Sequence, residues 1–111
     1  MNYKFVETTE FTHRIVRLGL EKELAKLQKE LNQNATKGAT DPGTGGLRKV
    51  RIADSTRGQG KSCGARVHYV VAEQRRVIYL VFVYGKGESD KLTAKQKKIL
   101  APRVRALMEE R

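Results

Sequence analysis

The side chains in this sequence best suited to chemistry are cations, and their spacing is that of extended strands. Lys49 and Arg51 alternate with Val50 and Ile52 across the segment from Leu47, so the two cations share one face. Arg66 and His68 occupy the polar face of a second alternating segment, whose opposite face carries Val67, Tyr69 and Val71. Arg57 and Lys61 lie on the Gly-rich loop between these segments, and Lys86 follows a later apolar run. Cations converging from separate segments, with few acids among them and glycines that allow close approach, suit a phosphate backbone. Tyr84, close to Lys86, could stack on a base, although its periodicity places it in the core.

Other chemistries fit less well. Gly60-Lys61-Ser62 resembles the tail of a phosphate-binding loop, but Ser55 stands where that motif needs its first glycine, and a strand rather than a helix follows. His13, Cys63 and His68 are dispersed and lack metal-ligand spacing, so no metal or cofactor is expected. Cys63 is read as a small buried residue; five positions from His68 on one strand, it makes no Cys–His pair. Acids in the basic half (Asp41, Asp54, Glu88 and Asp90) fall in loops and turns, which argues against a paired-carboxylate site.

The elements that must carry the cations can be read from periodicity. Tyr3 to Val6 reads as a first strand. Phe11, Ile15 and Leu18 follow at helical spacing with Thr9 as N-cap, and Gly19 separates them from a second helix built on Leu20, Leu24, Leu27 and Leu31. Residues 32–46 read as loop, with a turn at Asp41-Pro42-Gly43. After the two alternating segments, Val77 to Tyr84 is apolar at every position, as in a central strand covered on both faces. Thr93 and Gln96 form a capping box for a last helix, which Pro102 is expected to kink or break near Ala101. The order β-α-α-β-β-β-α predicts an α+β fold, two N-terminal helices packed on a mostly antiparallel sheet with a C-terminal helix.

Composition agrees with a basic partner-binding domain. The chain has 111 residues, expected to form a single domain over 1–111, with 23 Lys and Arg against 12 Asp and Glu. That excess is uneven: residues 1–34 carry six cations and five anions, 35–66 seven and two, and 67–111 ten and five. One cysteine excludes an internal disulfide. No apolar run has membrane-span length, and the polar N-terminus is unlike a signal peptide, so a cytoplasmic location is expected.

Taken in order, several segments carry a family resemblance. They are Gly43-Thr-Gly-Gly-Leu-Arg-Lys-Val-Arg-Ile-Ala53, Cys63-Gly-Ala-Arg-Val-His-Tyr69, Val77 to Lys86 and Leu92-Thr-Ala-Lys-Gln-Lys97. Together they resemble the RelE/HigB superfamily of bacterial type II toxin–antitoxin toxins, most closely its HigB-like branch. The resemblance spans nearly the whole chain and implies a RelE-like fold. It also implies a ribosome-dependent endoribonuclease that cuts mRNA on the 70S ribosome beside 16S rRNA. A cognate helix-turn-helix antitoxin, and operator DNA bound through the toxin–antitoxin complex, would be its other partners.

Such cleavage is metal-independent: the ribose 2′-hydroxyl attacks the adjacent phosphate, leaving a cyclic phosphate and a 5′-hydroxyl. The resemblance maps the catalytic cations to Lys49, Arg51 and Arg66, with Arg66 on the transition-state phosphate and Lys49 the better proton carrier, since arginine stays protonated. Arg48, Arg57, Lys61, His68, Tyr84, Lys86 and Lys91 are the expected RNA contacts. The sequence departs from the best-studied branch at Gly87, where an arginine is usual, and near Lys91-Leu92, where a tyrosine is usual. Asp90 matches an acid that other branches use, without their histidine, which leaves His68 and Lys86 as candidate bases. A ParE-like gyrase inhibitor and a non-catalytic nucleic-acid-binding module are the alternative readings.

Overall fold

A computed structural model describes residues 2–53, 64–85 and 91–109. The elements run β1 (Lys4–Glu7), α1 (Thr9–Leu18), α2 (Glu21–Gln33), β2 (Ala39–Thr40), β3 (Arg48–Ile52), β4 (Ala65–Ala72), β5 (Val77–Gly85) and α3 (Ala94–Glu109). One sheet collects the strands in the order β1-β5-β4-β3-β2. Among the described residues β1 pairs parallel with β5, and the other pairings are antiparallel. The α+β architecture expected from the periodicity is therefore present.

Local chemistry explains the helix ends. Thr8, rather than Thr9, caps α1, because its side-chain oxygen accepts from the Phe11 amide while its hydroxyl donates to the Val81 carbonyl. Gly19 closes the helix in the left-handed region at φ 69°, returning its amide to α1 carbonyls. Thr93 and Gln96 form the expected reciprocal box at 2.8 and 3.1 Å. The expected break at Pro102 is absent, and α3 runs through it as one element. Leu100 and Val104, on either side of the proline, are buried in one core, and this shared packing holds the helix across the missing hydrogen bond. The C-terminal end is held by Arg75, which donates to the Leu107 and Met108 carbonyls and to the Tyr79 hydroxyl.

The sheet separates two cores. Phe11, Ile15, Leu24, Leu27 and Leu31 from α1 and α2 pack with Ile52, Val67, Tyr69, Ile78, Leu80 and Val83. Leu100 and Val104 of α3 pack on Val70, Tyr79, Val81, Phe82 and Tyr84. The all-apolar run of β5 thus serves both faces, as its composition predicts. A register shift between His68 and Tyr69, whose partners are Phe82 and Leu80, leaves Val81 unpaired as a bulge. It turns Val81 and Phe82 toward the same core, a break in alternation that an unbroken apolar run conceals.

Part of the span read as loop is strand. Ala39 and Thr40 pair with Lys49 and Arg48, covering the edge that β3 would otherwise expose.

Candidate nucleic-acid interface

The register between β3 and β4 brings the cations together. Lys49 lies opposite His68 and Arg51 opposite Arg66, so all four side chains share the sheet face that, further along β4, packs beneath α3. Arg66 is in turn opposite Tyr84, and His68 opposite Phe82. Lys49, Arg51 and Arg66 line a recess of about 150 Å³ with Ala39 and Val50. Arg51 is exposed and Lys49 half-buried, whereas Arg66 is 5 % exposed. Two guanidinium-bearing residues directly across a ladder repel one another, and an anion between them offsets that cost. Neither Lys49 nor Arg51 makes an ion pair among the described residues. A larger groove of about 890 Å³ between α1 and α3 contains none of the candidate residues.

The remaining candidates are placed differently. His68 is completely buried and Tyr84 is 3 % exposed, so both belong to the protein interior instead of offering a face to RNA. The His68 Nε2 lies 3.4 Å from the Tyr84 hydroxyl, and Nδ1 lies 3.9 Å from Oδ2 of the buried Asp41. Burial pushes His68 down to about 4; Asp41 opposes the shift, and Lys49 and Lys97 add to it. The imidazole is therefore neutral near pH 7. Arg48, on the opposite face from Lys49, donates to the Thr36 and Gly38 carbonyls and ties down the turn before β2. Lys91 is exposed just ahead of α3. Arg57, Lys61, Lys86 and Asp90, with Cys63, lie outside the described residues.

Two of the described glycines admit neighbouring parts of the protein itself, while those of the loop between β3 and β4 at 58 and 60 lie outside the described residues. Gly45 lets its loop approach α3 closely: an added Cβ would stand 3.3 Å from the Ala101 carbonyl oxygen, and φ is +78°. Gly38 similarly admits the Tyr69 ring, whose hydroxyl accepts from the Gly38 amide and donates to the Ala35 carbonyl. These close approaches are made to protein.

Sequence reasoning missed Asp41 and its neighbours. The Asp41 amide donates to the Leu47 carbonyl, and buried Thr44 bridges the turn between them. Lys97 reaches down from α3 to Oδ1 of Asp41 at 3.2 Å. A turn-forming aspartate carries no local mark of such burial, because its partners come from β4 and α3. Among the described residues no group of three His, Cys, Asp or Glu side chains could hold a metal ion. No helix of the described residues is long and apolar enough to cross a membrane.

No family model matches the sequence. Among solved structures, the fold is similar to that of a mutant of the E. coli toxin RelE in the free state. The two share 19 % identity and a TM-score of 0.63, over 93 % of this chain and 97 % of that one. At that identity the likeness establishes a RelE-like fold.

Proposed function

We propose that this protein is the toxin of a type II toxin–antitoxin system, of the HigB-like branch, and that it cleaves mRNA on the ribosome. The observation that carries this reading is the register that places Lys49, Arg51 and Arg66 around one recess. Three cations from two adjacent strands match the needs of a phosphodiester passing through a pentacoordinate, doubly charged state.

In this reading Arg66, held nearly immobile by burial, receives the non-bridging phosphate oxygens. Arg51, at the exposed rim, positions the strand. The 2′-hydroxyl passes its proton to solvent water as its oxygen bonds to phosphorus. The P–O5′ bond breaks, the departing 5′-oxygen takes a proton from the Lys49 ammonium, and solvent reprotonates Lys49. The products are a 2′,3′-cyclic phosphate and a 5′-hydroxyl, formed with the chain's own cations as the only stabilising charges. His68 and Tyr84 are assigned to the support of the recess, since their burial removes them from direct RNA contact. A substrate on the ribosome implies a cytoplasmic location, and a cognate helix-turn-helix antitoxin would neutralise the toxin and join it in binding operator DNA.

The test is induced expression in bacteria followed by mapping of mRNA 5′ ends. Translation should stop, and new 5′-hydroxyl ends should fall at fixed codon positions only on translated messages. Arg66→Ala should abolish both effects while leaving the protein folded. Continued protein synthesis accompanied by DNA breaks would replace this reading with a gyrase inhibitor, and RNA binding without cut ends would replace it with a non-catalytic module.

A further inference from the structure

His68 sits at a boundary that the sheet does not require to be polar. On the same face of β4, Val70 and Ala72 belong to the core beneath α3, and on the other side of His68 lies the cationic recess. An aliphatic residue at position 68 would simply extend that core.

Among the described residues, the charges that act on the imidazole are those of two lysines and one carboxylate. Lys97 comes from α3, Lys49 from β3 directly across the ladder, and Asp41 from the turn before β3. Asp41 pairs with Lys97 through Oδ1, while its Oδ2 has no hydrogen-bond partner and points at His68 Nδ1, 3.9 Å away. Lys49 makes no ion pair among the described residues. A buried carboxylate with an unused oxygen attracts any nearby ammonium, yet Lys49 faces the recess.

We propose that His68 is a positioning residue that acts through Lys49: its imidazole, across the ladder from Lys49 and 3.9 Å from Oδ2 of Asp41, occupies the space beside that carboxylate and leaves the ammonium directed to the recess. Tyr84 completes the arrangement. With its hydroxyl donating to Nε2, the ring carries its proton on Nδ1, toward Asp41. The Nδ1–H dipole then faces Oδ2 of Asp41 across 3.9 Å, an electrostatic contact longer than a hydrogen bond, and Lys97 compensates the carboxylate charge from the α3 side. The inference rests on the reading of the recess as an RNA phosphate site.

The experiment is a fluorescence-anisotropy titration with a short single-stranded RNA, with circular dichroism as the check on folding. Lys49→Ala should weaken binding about tenfold, the loss of one charge-assisted phosphate contact. His68→Ala should weaken it equally, by opening Oδ2 of Asp41 to Lys49, and adding Lys49→Ala should then cost nothing more. His68→Gln, a neutral spacer, should bind within about twofold of the parent protein. The decisive variant is His68→Ala with Asp41→Asn. Without the carboxylate Lys49 returns to the recess and affinity recovers, which repair of a purely structural defect would not achieve.

Unchanged affinity in His68→Ala, or no recovery on adding Asp41→Asn, would overturn the proposal. Should His68→Ala fail to fold, nitrogen-15 NMR of the unaltered protein decides. A neutral ring protonated on Nδ1 at pH 7 supports the inference, and an Nε2–H tautomer or an imidazolium rejects it. An unchanged affinity in Lys49→Ala alone would instead remove Lys49 from the RNA site, and the tautomer would still decide the placement of His68.

Discussion

Because His68 is wholly buried and neutral, acid should unfold this protein through it. In the unfolded chain the imidazole titrates near 6.5; in the folded protein burial holds it at about 4. Between those values unfolding takes up a proton. The stabilising contribution is therefore complete above pH 6.5, is lost as pH falls toward 4, and changes little below that. At about 1.4 kcal/mol per pKa unit, the difference corresponds to roughly 3 kcal/mol, a large part of the 5–15 kcal/mol typical of a domain.

The assay is urea denaturation at pH 7.5, 5.5 and 4.0, with His68→Gln as the reference that lacks this titration. Subtracting the two pH profiles removes the contributions of every other carboxylate and histidine. The parent protein should lose about 3 kcal/mol more than the variant, seen as an additional midpoint shift of about 1–3 M urea. Parallel profiles for the two proteins would refute the argument, since they would mean that His68 is hydrated or already charged in the folded state.

Arg75→Ala should cost about 1–2 kcal/mol by releasing the last carbonyls of α3, with hydrogen exchange accelerating near Leu107 and Met108 before the rest of the helix. Gly64→Ala should cost about 3 kcal/mol or more, because the added Cβ would stand 1.6 Å from the Ile52 carbonyl oxygen and force β3 and β4 apart; an unchanged denaturation midpoint would contradict that packing. RNA affinity should fall as salt rises, and Arg51→Ala should flatten the logarithmic salt dependence by about one unit. An unchanged slope would place Arg51 away from the phosphates.

Much of this architecture was legible in local chemistry. Helix spacing located α1 and α2, the Thr93–Gln96 box located the start of α3, and strict alternation in residues 47–52 and 66–71 identified which side chains share a face, although the face of β4 read as polar is buried. Where local chemistry was ambiguous, packing decided. Thr8 and Thr9 are equivalent as caps until β5 presents the Val81 carbonyl, and Pro102 weakens a helix that a buried Leu100 and Val104 then hold together.

The same division applies to the candidate site. Side-chain alternation has a period of two, so the sequence by itself determined that Lys49 and Arg51 share a face, and likewise Arg66 and His68. It did not determine that the two faces coincide, or that Arg51 lies opposite Arg66, because register depends on pairing between segments far apart in the chain. Nor could alternation tell an exposed polar face from a buried one. Only the tertiary structure brought α3 over that face, set Asp41 and Lys97 beside His68, and turned a residue read as an RNA contact into one enclosed behind the recess. On a strand of mixed side chains such as β4, burial depends on what packs over it, whereas the unbroken apolar run of β5 announced its own.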